Sequence, residues 1–287
     1  MTDAKRLMLN FIPLLRESPF RIAPERAEEL LVQMGGRAWV LEIMDGPANF
    51  EALPKIREIE GTYAALLSLW AVTASVVILG KLARTAEDLK LSQIVIKPGG
   101  PGSAVIELKN AAKALIRSEK YSWDSVPAVP NATAGSTSED GQINNLFLAA
   151  ASFVILHECG HLLKEHKKYT VLLHQQELEA DSWAVSWVLK KVPNEHQREF
   201  RTLAVCIAFI WIGLIDEVRQ ATSTHPPAAQ RFSDAFEIFG DVPTESVALE
   251  IGQYALKAFF NPTAECPQAD CTKEGFISRL IEYLRRK

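Results

Sequence analysis

The sequence predicts an α+β fold that is mostly helical and carries a small β element. Three observations lead there. Apolar residues recur at helical spacing through most of the 287-residue chain, in segments bounded by breakers and caps such as Gly35-Gly36, Pro193 and Asn194. Hydrophobic residues make up 48% and charged residues 23%, which is ample material for a core. Runs suited to strands are short and lie before residue 110. No composition shift divides the chain, so residues 1–121 read as a helical and β elaboration and 122–287 as the core of one continuous domain.

Taken in order, residues 24–34 have helical period and stop at the two glycines, 37–44 suit a strand, and Asp45-Gly46-Pro47 suits a turn. A long apolar helix is expected over 61–84. Residues 94–96 and 104–108, rich in Val and Ile, then flank Pro98-Gly99-Gly100-Pro101-Gly102 and are expected to form a hairpin. No Gly-Lys-Ser/Thr follows those glycines and two prolines remove amide donors, so the turn reads as a connector rather than a phosphate loop. Residues 122–141, rich in Pro, Ser, Thr and Gly, form an irregular segment expected to skirt the functional site. Helices are expected over 142–165 and 173–191, from a cap at Asn194 through 221, and over 228–239, 244–260 and 273–286.

Composition excludes several function classes. A net charge of −4 and a pI near 5.9 provide no basic field for a phosphate backbone, so nucleic acid is not expected as a partner. Cys159, Cys206, Cys266 and Cys271 are too scattered for a disulfide framework, which points to a reducing cytoplasm. Cys266 and Cys271 could pair or hold a metal across Pro-Gln-Ala-Asp, but two free thiols is the plainer reading. Lys5 and Arg6 precede a short apolar patch, yet Asn10 and Pro13 argue against a signal peptide. The window 61–80 carries no charge over twenty residues, long enough to span a bilayer. Its hydroxyl residues and alanines dilute it, so a buried core helix is preferred over membrane association, as it is for the shorter run 203–215.

Chemistry concentrates at His157-Glu158-Cys159-Gly160-His161. On a helix two histidines four residues apart lie about 40° apart in projection and can offer two imidazole nitrogens to one ion. Glu158, on the adjoining face, suits a carboxylate that acts as general base on water without being a ligand. The apolar run 146–156 would bury the back of that helix. A third ligand is available in Glu177, sixteen residues after His161 on the next helix. Asp181, one turn further on the same face, could orient His157 or His161, with Ala180 and Ala184 allowing close helix approach; Glu179 is expected to point elsewhere. His166 is too far along to share the ion and is expected to cap the helix or line the cleft, while His174 is a substitute ligand or a surface histidine.

These residues resemble the gluzincin metallopeptidases, specifically the HtpX-type and phage-exclusion Lit-type branches. Residues 157–166 are similar to their HExxH followed by a histidine five positions later. Glu177-Leu178-Glu179-Ala180-Asp181-Ser182-Trp183-Ala184 is similar to the E-x-x-A-D-x-x-A segment that supplies the glutamate ligand, and Thr224-His225-Pro226-Pro227-Ala228-Ala229-Gln230-Arg231 to T-H-P-P-x-x-x-R. The resemblance implies a gluzincin-like core, with zinc on His157, His161 and Glu177. It further implies Glu158 as catalytic base, His225 as donor to the developing oxyanion and Arg231 anchoring Asp181. It covers about 90 residues, 146–232. HtpX-type proteins need several membrane helices and usually a longer interval before the glutamate, so the compact spacing looks closer to the Lit type. That likeness implies a bacterial cytoplasmic endopeptidase acting on a protein or peptide, with a role in phage exclusion. The alternatives are a non-catalytic zinc-binding regulatory protein and a membrane-anchored HtpX-like quality-control protease.

Overall fold

Two long apolar helices, buried over most of their length, frame the fold, because an apolar element has to be surrounded by other elements. The computed structural model describes residues 2–36, 39–91, 95–119, 121–166, 173–220, 226–239, 245–262 and 272–284. In chain order these form α1 (Asp3–Met8), α2 (Ile12–Ile22), α3 (Ala27–Gln33), β1 (Val40–Met44), β2 (Phe50–Leu53), β3 (Glu58–Thr62), α4 (Tyr63–Asp88) and α5 (Ser103–Ile116). There follow α6 (Glu139–Leu163), α7 (Leu173–Leu189), α8 (Glu195–Arg219), α9 (Ala228–Ile238), α10 (Val247–Phe260) and α11 (Lys273–Leu284). The fold is α+β and mostly helical, with one three-stranded sheet of order β1-β3-β2.

In that sheet β1 runs parallel to β3, pairing Leu41 with Ile59, and β2 runs antiparallel to it, pairing Ala52 with Ile59. The sequence patterning missed β2 and β3. Both are only four or five residues long, and the glutamates at 58 and 60 leave β3 without an apolar run. Gly61 is required by close packing, since a Cβ there would lie 2.7 Å from the Phe50 ring and 2.9 Å from Ile43 Cδ1. The sheet passes directly into α4 because Thr62 serves both elements. Its Oγ1 accepts from Ala65 N at 3.1 Å as the helix cap and donates to Pro47 O at 3.0 Å.

The hydroxyls that dilute the hydrophobicity of α4 are satisfied within the protein. Thr73 and Ser75 donate to the carbonyls of Leu69 and Ala71 at 2.9 Å, and Ser68 Oγ accepts from Trp211 Nε1 of α8 at 2.8 Å. By length and composition α4 and α6 could each cross a membrane; 78% and 83% of their apolar windows are buried within the fold.

Residues 104–108 correct the expected hairpin, since they belong to α5. Val105, Leu108, Ala111, Ala112, Ala114 and Ile116 are its buried residues, a helical period that packs against α4 and overrides the strand preference of Val and Ile. Ile94 lies outside the described residues, and Val95 and Ile96 form no strand. Gly102 then becomes the residue before a helix, where a Cβ would lie 3.2 Å from Ile96 Cα.

The irregular segment before α6 is anchored at that helix's N-terminal end, away from the histidines. Asn144 Nδ2 donates to Asn131 O at 2.7 Å, and Trp123 packs edge-on to Trp70 of α4 at 6.4 Å. His157 lies eighteen residues beyond the first residue of α6, about 27 Å along the axis. On the other side an aromatic cluster clamps α9: Phe232 meets Phe209 of α8 at 4.8 Å, and Phe236 stacks on Phe276 of α11 at 4.8 Å. Each buried Phe contributes about 1.5–3 kcal/mol and each such pair about 0.5–1.5 kcal/mol more. That packing holds Arg231 of α9 in place against α7.

Candidate metal centre

Helix α6 delivers His157, Glu158 and His161 in its last two turns, and α7 delivers Glu177 and Asp181. The two helices approach closely because Gly160 faces Ala180, where a Cβ on Gly160 would stand 3.2 Å from Ala180 Cα. The approach brings three donors together. His157 Nε2 and His161 Nε2 are 3.1 Å apart; His157 Nε2 lies 3.4 Å from Glu177 Oε2 and His161 Nε2 lies 3.4 Å from Glu177 Oε1. Among the described residues His157, His161 and Glu177 are the group that could hold a metal ion.

The donor set and its spacing suit zinc. Four-coordinate zinc with bonds of about 2.0–2.1 Å has neighbouring ligands about 3.3–3.4 Å apart. The two imidazole nitrogens stand 3.1 Å apart, close to that figure, and each has its own Glu177 oxygen at 3.4 Å, Oε2 for His157 and Oε1 for His161. Three protein donors would leave the fourth position for water or substrate, as in catalytic rather than structural sites.

Around the donors lies a charge network. Asp181, 2% exposed, accepts both Nε and Nη2 of Arg231, at 2.7 and 2.8 Å, and Arg231 Nη1 lies 3.4 Å from Glu177. Asp181 Oδ1 is also 2.8 Å from His157 Nδ1, approached off the ideal direction of the Nδ1–H bond. Burial disfavours the charged form of His157, but the Asp181 and Glu177 carboxylates outweigh it and push the imidazole pKa up to about 10. Burial likewise opposes ionisation of Glu177 and Asp181, yet the histidines and Arg231 hold both below the usual carboxylate range. With both imidazoles neutral, as metal ligands must be, two carboxylates face one guanidinium, and a cation among the donors would take the place of the proton that the carboxylates otherwise hold on His157.

Glu158 is 7% exposed and makes no hydrogen bond or ion pair among the described residues. Cys159 is fully buried, and burial followed by the neighbouring Glu158 pushes its thiol up, which makes it an inert packing residue. His174 is exposed and outside the donor group. His225, Cys266 and Cys271 lie outside the described residues.

Two further side chains border the donors without joining them. Helix α6 ends at Leu163, Glu165 adopts a left-handed φ of 50°, and the chain doubles back so that His166 N donates to His161 O at 3.1 Å. This turn sets His166 Nδ1 2.8 Å from His161 Nδ1. Glu179 lies outside the donor group, 3.5 Å from His166 Nε2. The only signal for either was the count of histidines and acids around the motif, because a helix wheel ends where the helix does.

A family model described as Peptidase U49 matches residues 59–252, which include every site residue named above. Among curated proteins, the cell death peptidase of Escherichia coli (strain K12) is 25% identical over 228 residues, covering 76% of this chain and 76% of that protein. No solved structure matches the chain.

Proposed function

The chain belongs to the Peptidase U49 family, and from that premise we propose that this peptidase is a zinc-dependent endopeptidase whose ion is held by His157, His161 and Glu177. The single observation that carries the reading is the meeting of those three donors, two imidazole nitrogens 3.1 Å apart with the Glu177 carboxylate at 3.4 Å from each, next to a Glu158 side chain that has no partner among the described residues. When bound, zinc would polarise the scissile carbonyl and make water acidic enough to attack near neutral pH.

The residues of the chain divide the remaining work. Glu158 takes the proton of the attacking water and passes it to the leaving amine; a side chain with no partner among the described residues supports that role. Asp181 orients His157 through Nδ1, and Arg231 fixes Asp181 with a two-point grip. His225, six residues before Arg231 in the chain, is assigned from the sequence motif as donor to the oxyanion that develops on the carbonyl.

Residues 122–287 are assigned as the metallopeptidase core and 1–121 as its elaboration. A hydrophobic core that runs without a break from Ala4 to Tyr283 supports one continuous domain. The same burial of α4 and α6 favours core helices and a cytoplasmic protein over a membrane-anchored protease. A protein or peptide is the substrate class; the E. coli relative is by its printed name a cell death peptidase, and the phage-exclusion role is carried by the Lit-type motifs of the sequence.

The test is Glu158→Gln, with metal content measured by mass spectrometry and proteolysis of a host-cell extract assayed alongside. The expected variant keeps one zinc per chain and loses cleavage by at least about 100-fold. A variant that still cleaves would remove Glu158 as the base, and a zinc-loaded wild type that cleaves nothing would favour the non-catalytic zinc-binding reading.

A further inference from the structure

A ligand imidazole that offers Nε2 to a metal must carry its proton on Nδ1, and that proton needs an acceptor. His157 has the Asp181 carboxylate for this purpose, whereas the nearest group to Nδ1 of His161 is a neutral ring, that of His166, at 2.8 Å. Only one of two nitrogens at that distance can hold the proton between them. If His166 held it, His161 would be protonated on Nε2, the atom that faces His157 and Glu177, and metal would be excluded.

The far side of His166 decides the order. Its Nε2 lies 3.5 Å from Glu179 Oε2, and an ionised carboxylate only accepts, so its charge holds the His166 proton on Nε2 and leaves Nδ1 free to accept from His161. Glu179 is itself held by Lys164 Nζ at 3.1 Å and Gln175 Nε2 at 2.8 Å. Its position is therefore built by α6 and α7 together.

We propose that His166 and Glu179 form a relay that keeps His161 in the metal-binding tautomer, with His166 as the positioning residue and Glu179 orienting it. The relay rests on the metal-centre reading above. It makes the two ligand histidines equivalent by different means: His157 is served by a carboxylate directly, and His161 by a carboxylate acting through a second imidazole.

The test measures zinc and cobalt affinity of the purified full chain by competition with a chromophoric chelator, for wild type, His161→Ala, His166→Ala, His166→Asn and Glu179→Gln. His166→Ala is expected to bind about 10–100-fold more weakly, with a cobalt spectrum of wild-type shape. His166→Asn should recover part of the loss, because its amide oxygen can accept where Nδ1 did, and Glu179→Gln should lose less than His166→Ala. Melting of the metal-free variants separates a folding defect from a binding defect, and His166→Asn reports on the relay should the alanine variant not fold. Affinity unchanged in both His166 variants overturns the relay. So does a loss as complete as that of His161→Ala, which would make His166 a ligand. A wild-type chain that takes up no stoichiometric metal fails at the earlier step and removes the metal centre itself.

Discussion

Substituting Gly160 by Ala tests whether the approach of α6 and α7 sets the geometry of the centre. The new Cβ would stand 3.2 Å from Ala180 Cα, 3.4 Å from its Cβ and 3.5 Å from its carbonyl oxygen. Carbon atoms prefer about 3.5–4.0 Å, and a backbone atom cannot rotate away, so α7 must recede by about half an ångström. Two terms oppose each other. Alanine gains about 1 kcal/mol over glycine inside a helix, while overpacking costs about 1–3 kcal/mol. The net destabilisation is then about 0–2 kcal/mol. An unfolding entropy of about 2.1 cal/mol/K per residue over 287 residues makes this a fall in Tm of at most about 3 °C. Metal binding should suffer more, because Glu177 lies one turn from Ala180 on the same helix and donor distances tolerate only about 0.2 Å. Calorimetric melting of the metal-free protein and chelator competition for zinc should therefore disagree: a small change in Tm and a loss of affinity of about tenfold or more. Wild-type affinity in a normally folded Gly160→Ala chain would refute the view that this contact positions Glu177.

Replacing Arg231 by Met should cost about 3–5 kcal/mol, because it strands the buried Asp181 carboxylate; urea unfolding of the metal-free protein measures it, and a cost under 1 kcal/mol would mean that the pocket relaxes to admit water. The Glu25–Arg201 pair, with contacts of 2.7 and 2.9 Å and Arg201 2% exposed, ties the start of α3 to α8. The hydrogen bonds from Arg201 hold the Glu25 carboxyl below its ordinary value of 4.5. A depressed folded pKa means stability that is present above that value and lost as pH falls through the folded one. Glu25→Gln should accordingly be about 1–3 kcal/mol less stable than wild type at pH 7, with the gap closing as the pH falls below 4.5; a gap independent of pH would show that the charge contributes nothing.

The features legible in the sequence are local. His157 and His161 share a face because 3.6 residues complete a turn, and that holds whatever surrounds the helix. The Asn194 cap is equally local: its Oδ1 accepts from Gln197 N at 2.9 Å, three residues on. The mostly helical character and the long apolar helix belong here too, since period and length are properties of a segment. Even the departures have local causes, as at residues 104–108, where β-branched side chains suggested a strand while the spacing of Val105, Leu108 and Ala112 already fitted a helix.

What the tertiary structure decided is every relation between segments. The pairing of β3 with both neighbours depends on Phe50 and Ile43 closing over Gly61, which no single strand encodes. The distances from Glu177 to the two histidines depend on two helices meeting at Gly160 and Ala180. The contacts of His166 and Glu179 depend on where α6 stops and how the chain turns back over it. Sequence spacing measures distance along the chain, whereas a metal centre is defined by distance across it, and only packing converts one into the other.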